Sequence, residues 1–463
     1  MQRAMRASFV WRHLCAFVAL VVVCGVPTGM QAQHGWKAVI ASGQGAVSPS
    51  FASVDAVTYA NDSRCGASCD ICQRILYALT DFDSNSQGLV IDARGVQGTA
   101  LTCASSDVNP WLPLASLSST FPNTVLLPAG TIKISSTWIL PADTRISGEG
   151  PNSTIITTFG TGFGGDLIDM GAETGLVCSM VGTGGKPDCP GIVIEHLGIQ
   201  GNVSGAVTGT AIVNCCAQEF SRVSDVAITN VATGVALTDL YAENSGPYTN
   251  LTISNVNTCL AVGLSTAADV PGTRGVHGLT CMTNGASPAA ITLDGANNSL
   301  EDINIQGTSL QDGVLIGSQA AAHNNVLFNI HGNGLKNVIH ISSNSISGVP
   351  NVSDLTILGV THTGGMSAIE DDLTPNLTSA STVLGDLSVG MYVVGEPVQS
   401  GGVSVGNSRF TTSINVPTWL VGPNQPSNNC AAGDLYSCTG STCSSSGTLW
   451  QCLGGGTTWG KIK

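Results

Sequence analysis

The sequence predicts an all-β solenoid, a coil of stacked parallel sheets, and three observations carry that prediction. Glycine is abundant, with 57 residues of 463, while charged residues make up only 10%, against ~25% in an ordinary globular chain. Helices draw on Ala, Leu, Glu, Lys and Arg, whereas this chain relies on Gly, Thr, Ser, Asn, Val and Ile, which suit turns and strands. Between residues 190 and 375 a short unit recurs: a polar pair, an apolar residue, a small one, a second apolar residue, then Gly or Asn. Its spacing of 23–29 residues is that of a stacked repeat. An apolar fraction of 43% excludes a disordered chain, because so little charge and so much apolar surface favour burial.

The unit reads Glu195-His196-Leu197-Gly198-Ile199, then Ser224-Asp225-Val226-Ala227-Ile228 and Thr249-Asn250-Leu251-Thr252-Ile253. It continues as His277-Gly278-Leu279-Thr280-Cys281, Glu301-Asp302-Ile303-Asn304-Ile305, Asn324-Asn325-Val326-Leu327-Phe328 and Ser353-Asp354-Leu355-Thr356-Ile357. Stacking on the first apolar residue aligns Leu197, Val226, Leu251, Leu279, Ile303, Val326 and Leu355 as rung starts. Alternation turns both apolar residues of each strand inward and leaves Gly198, Ala227, Thr252, Thr280, Asn304 and Thr356 as a small, uncharged outward row. Gly201, Asn230, Asn255, Gly307 and Gly359 follow the strands and are expected at left-handed corners. Second strands come next, as in Gly234-Val235-Ala236-Leu237 and Val338-Ile339-His340-Ile341. Rungs of this kind pair at ~4.8 Å around a common core.

A coil exposes sheet edges at its ends, and these need covers. Ile71, Ile75 and Leu79 lie on one face of a helix expected at 70–80, with Ser68 or Asp70 near its N-cap. Leu89-Val-Ile-Asp92 is the expected first strand, within a coil spanning 85–415 after an N-terminal segment at 33–84. A Pro-bearing linker at 416–427 leads to a Cys-rich β module at 428–463. Residues 1–32 carry Arg3, Arg6 and Arg12, an apolar run from Leu14 to Val26 and a small, polar end, which together read as a secretory signal peptide. No apolar stretch approaches the ~20 residues of a membrane span.

Loss of residues 1–32 removes three arginines and no acid, which takes the net charge from −14 to −17. A chain so acidic, with no basic run, is a poor partner for nucleic acid or anionic membranes. Two of the 16 cysteines, Cys15 and Cys24, leave with the signal, and the even remainder in an exported chain points to disulfides. Cys178 and Cys189 are expected to close a Gly-rich loop. Cys65 and Cys103 are the expected partners of Cys69 and Cys72. Cys430, Cys438, Cys443 and Cys452 are expected to staple the terminal module.

The stretch Thr124-Val-Leu-Leu-Pro-Ala-Gly-Thr-Ile-Lys-Ile-Ser-Ser-Thr-Trp-Ile-Leu-Pro-Ala-Asp-Thr-Arg-Ile-Ser-Gly-Glu-Gly150 resembles the opening rungs of the pectate lyase-like superfamily. That resemblance implies a single right-handed parallel β-helix with a capping helix, and a polysaccharide or cell-surface glycan as partner. It leaves the activity open, because this scaffold carries lyases, hydrolases and non-catalytic surface proteins alike.

The motifs of polygalacturonase-like hydrolases are missing; Val276-His277-Gly278 is the nearest approach. Lyases need cations for a uronate, and between residues 190 and 400 only Arg222, Arg274 and Lys336 supply them, unless calcium bridges protein and substrate. Register places His277 and Glu301 in one column on neighbouring rungs, ~5 Å apart, with Asp302 beside Gly278 and Arg274 three residues upstream. A base, an orienting carboxylate and a cation are the parts of proton abstraction or glycosidic cleavage. Strict alternation points that column inward, so the corner must break parity for these groups to act. Glu370 and Asp372, ~6.6 Å apart along a strand, are candidates for an inverting carboxylate pair or for calcium. His340 is expected at the surface. Two function classes follow: an enzyme acting on extracellular polysaccharide, as lyase or glycoside hydrolase, and a non-catalytic surface or matrix protein.

Overall fold

The computed structural model describes residues 52–372, apart from short internal stretches, and strands at 390–393, 419–422, 435–438, 448–452 and 459–462. The signal segment, Arg274, Asp354, Cys430 and Cys443 lie outside the described residues, and so do the expected bridges of the terminal module.

Among the described residues, 21 strands join by parallel pairings into one coil, a right-handed parallel β-helix. Its cause is local. The strand Val193–Gln200 pairs through 193–195 with 145–147 and through 198–200 with 155–157, so it belongs to two faces of the coil. It turns between them at His196, where φ is 55°. The same corner recurs at Asp225, Asn250, Gly278, Asp302, Asn329 and Gly359, all at positive φ. Asn, Asp and Gly are the residues that tolerate this conformation. We call 193–195 and its stack the first face, 197–200 the second and 210–214 the third. Side chains bridge adjacent rungs at the corner: Asn250 donates to Asp225 at 3.0 Å and Asn329 to Asp302 at 2.6 Å. Inside, Leu197, Val226, Leu251, Leu279 and Ile303 stack at 0–1% exposure.

The expected register holds through Ile303 and then slips. Ile303 pairs with Ile330, not Val326, and Ile330 pairs with Val360, not Leu355. Val326 instead pairs with Ser299 and is exposed. The corner residue is the true marker of register, and Asn329 and Gly359 hold that place. The outward row of the second face accordingly ends in His331 and Thr361 rather than Thr356. Gly201 and Gly307 are not at left-handed corners. Gly201 is required by close approach, since a Cβ there would meet the Asn230 carbonyl oxygen at 1.8 Å.

The helix spans Ile71–Asp81, with Ile71, Ile75 and Leu79 buried, and starts in a reciprocal cap between Asp70 and Gln73. The sheet begins one strand earlier than expected, because Ala52–Asp55 precedes the helix and pairs with Leu89–Asp92. Cys65–Cys69, Cys72–Cys103 and Cys178–Cys189 are bridged as expected. Cys259–Cys281 joins two neighbouring rungs, and Cys215–Cys216 links adjacent residues. These bridges fit an oxidising compartment. No helix among the described residues is long and apolar enough to cross a membrane. The last four described strands form a separate sheet that starts at Trp419, inside the stretch expected as linker.

Candidate functional site

The left-handed corner decides which side chains of the first face point outward. In an unbroken strand residues 277 and 279 share a side, and Leu279 is buried. Gly278 at φ 70° reverses that parity and turns His277 out; Asp302 at φ 56° does the same for Glu301. The two side chains meet on neighbouring rungs, with His277 Nδ1 3.1 Å from Glu301 Oε2. Ser299 donates to Glu301 Oε1 at 2.6 Å, which fixes the carboxylate from its other oxygen. Both members of the pair are a little over one-third exposed, His277 at 35% and Glu301 at 39%, so solvent or a ligand can reach them.

With the Nδ1 proton donated to Glu301, Nε2 is the lone-pair nitrogen and lies over Gly275. A Cβ at 275 would come within 2.7 Å of Nε2, so glycine keeps that approach open. Phe328 takes the next position in the column beside Glu301 and is 47% exposed, an aromatic face that follows the polar Ser224, Thr249, His277 and Glu301. Asp302 does not join the pair; its carboxylate is turned to Asn329 at the corner. At the other end of the column Glu195 is buried, held by Arg145 Nε at 2.8 Å and Arg222 at 3.7 Å.

The third face gathers two further groups. His340 does face away from the core, between buried Ile339 and Ile341, but it is enclosed rather than at the surface. Its Nδ1 lies 2.6 Å from Asp312 Oδ2 and its Nε2 2.9 Å from Asp372 Oδ2. Burial works against the imidazolium charge, but the two carboxylates outweigh it and hold the His340 pKa above its ordinary value. Glu370 takes Lys336 Nζ at 3.2 Å and the Asn337 amide. Glu370 and Asp372 thus meet different partners. The sequence hid this cluster because Asp312 is 28 residues from His340, and only the stacking of rungs joins them.

Asp169 is the second group. It faces outward between buried Ile168 and Met170, and its Oδ1 is buried without a hydrogen-bond partner. Desolvation, with help from Asp166, pushes its pKa up to about 7. A raised carboxyl pKa means that the contribution to stability is complete below the ordinary value and is lost as pH rises through about 7. Asp169→Asn is therefore expected to be more stable than the parent by roughly 2–4 kcal/mol at pH 8 and equal to it near pH 4. Urea unfolding across that range checks this; parallel stability curves for the two proteins would refute the assignment.

No protein-family model matches the chain, and no curated protein matches it. Among solved structures it is similar to Geobacillus virus E2 ORF18, at 14% identity and TM-score 0.35, over 55% of this chain and 53% of that one, about half its length. It is also similar to the A-module of Azotobacter vinelandii mannuronan C-5 epimerase AlgE4, at 10% identity and TM-score 0.28, over 68% of this chain and 97% of that one. For the AlgE6 A-module of the same organism the values are 12% and 0.23, over 54% and 91%. Likeness at this level bears on neither substrate nor activity, and the fold rests on the strand register given above.

Proposed function

We propose that the protein is an exported glycan hydrolase that receives a neutral polysaccharide along the first face of the coil. His277 is the general base, Glu301 orients it, and Phe328 is the platform for a sugar ring. The observation that carries this reading is the His277–Glu301 contact at outward, solvent-reached positions, one rung from an exposed aromatic ring. Imidazole held by a carboxylate through Nδ1 has its other nitrogen poised to take a proton from the attacking water, and the imidazolium so formed returns that proton to the departing sugar oxygen as the glycosidic bond breaks.

Charge favours a neutral substrate over a uronate. Between residues 190 and 400, the described cations Arg222 and Lys336 are engaged by Glu195 and Glu370. An acidic chain of net −14 then has little to offer a polyanion. A non-catalytic role as a rigid surface or matrix rod is the second reading, and the side-chain ladder along the corner favours it by giving the coil a repeated structural purpose for its polar residues.

Incubation with a panel of neutral and acidic polysaccharides separates these readings. New reducing ends from a neutral glycan, without unsaturated-uronate absorbance, are expected. Uronate absorbance would replace hydrolysis by a lyase reaction, and no release from any glycan would leave the rod.

A further inference from the structure

We propose that Asp312, His340 and Glu370 bind a divalent transition-metal ion, with zinc the ion that one imidazole and two carboxylates suit best. The three residues stand on successive rungs of the third face, and one ligand atom from each lies within 4.8 Å of the others. Tetrahedral bonds of ~2.1 Å place two ligand atoms ~3.4 Å apart, so the site closes on an ion with side-chain shifts on the order of 1 Å.

The surrounding groups are those that a metal site needs. A ligating histidine almost always gives its second ring nitrogen to a carboxylate or carbonyl, which fixes the ring and raises its donor strength. Asp372 Oδ2 stands at 2.9 Å from His340 Nε2 in that role, leaving Nδ1 to face Asp312 and the ion. Asn337 donates to Asp312 Oδ1 at 2.8 Å and to Glu370, holding the two carboxylates side by side across the rungs. Lys336 Nζ and the Asn337 amide both engage Glu370 Oε2, which leaves Oε1 for the ion. Charge also balances: three carboxylates against one ammonium leave the excess of two that a divalent ion cancels. The nitrogen ligand separates this site from a calcium site, which takes oxygen alone. The other close grouping, Asp70 with Cys72 and Cys103, offers no such site, because its two sulfurs are joined in a disulfide. An ion at Asp312, His340 and Glu370 would tie three rungs together near the C-terminal end of the described coil.

The test is titration calorimetry on untagged, chelator-treated protein with zinc alone and with calcium alone. One equivalent of zinc is expected, bound more tightly than calcium. H340Q is expected to lose at least 100-fold in zinc affinity, and D372N, which touches the ring but not the ion, 10- to 100-fold. Absence of zinc binding, tighter calcium binding, or undiminished affinity in a folded H340Q would overturn the proposal. Zinc-edge X-ray absorption of the parent protein needs no variant: imidazole scattering is expected, and a shell of oxygens alone would overturn it.

Discussion

Replacing His277 by alanine is expected to cut hydrolysis of the responsive glycan by about 10²–10⁴-fold, the range for loss of a positioned general base. Unfolding curves should stay within about 0.5 kcal/mol of the parent, as for a surface change away from core, caps and strained backbone. The His277 side chain contacts Glu301 at the surface and fills no part of the core, so the two readouts separate cleanly. Glu301→Gln is expected to do less, because glutamine can still accept from Nδ1. It should lower kcat more than it changes KM, since the ring is then less firmly held in the orientation proton transfer needs. Gly275→Ala puts a methyl group 2.7 Å from Nε2 at a backbone φ of 106°, so the ring must move from its place and turnover should fall although His277 and Glu301 are both still present. Retained turnover in His277→Ala with any responsive glycan would remove this site from the reaction.

Much of this architecture was legible because a parallel coil converts sequence spacing into contact. Once Leu279 and Ile303 are taken as rung starts, His277 and Glu301 must be neighbours, and no knowledge of side-chain detail is needed. The helix was legible for a similar reason: Ile71, Ile75 and Leu79 share one face, and Asp70 with Gln73 marks its start. The slip at Val326 came from a local imitation of the repeat. Asn324-Asn325-Val326-Leu327-Phe328 has the right polar and apolar order, yet the left-handed residue that sets the corner is Asn329. Asn324 is also at positive φ, so even the turn chemistry points both ways, and only pairing with Ser299 resolves it. The His340 cluster was hidden for a different reason. Alternation correctly placed the ring outside the core, but outward is not the same as exposed, and enclosure depends on Asp312 and Asp372 arriving from two other rungs.

Gly263→Ala is expected to destabilise the coil by on the order of 3 kcal/mol. Two costs add at this position. Gly263 has φ 76°, where an L side chain costs ~1–2 kcal/mol. A Cβ would also fall 2.2 Å from the Asp294 carbonyl oxygen on the next rung, and relieving such a clash by backbone movement costs typically ~1–3 kcal/mol. The carbonyl cannot yield easily. Asp294 is buried, its side chain accepts from Ser318 Oγ at 3.0 Å and from Gln319 N at 2.9 Å, and its own N–H donates to Val262 at 2.9 Å. Movement there would disturb strands both above and below, including the strand that carries Cys259 and its bridge to Cys281. Gly98→Ala provides the control: φ is 65°, but nothing lies within 4 Å of the added carbon, so only the conformational cost of ~1–2 kcal/mol applies. Urea unfolding of the two variants beside the parent measures the difference directly. Equal losses would show that the rungs do not approach as closely at this corner as the register requires, and that the tight stacking of Val262, Leu293 and Ile316 beneath it is looser than the packing of the coil implies.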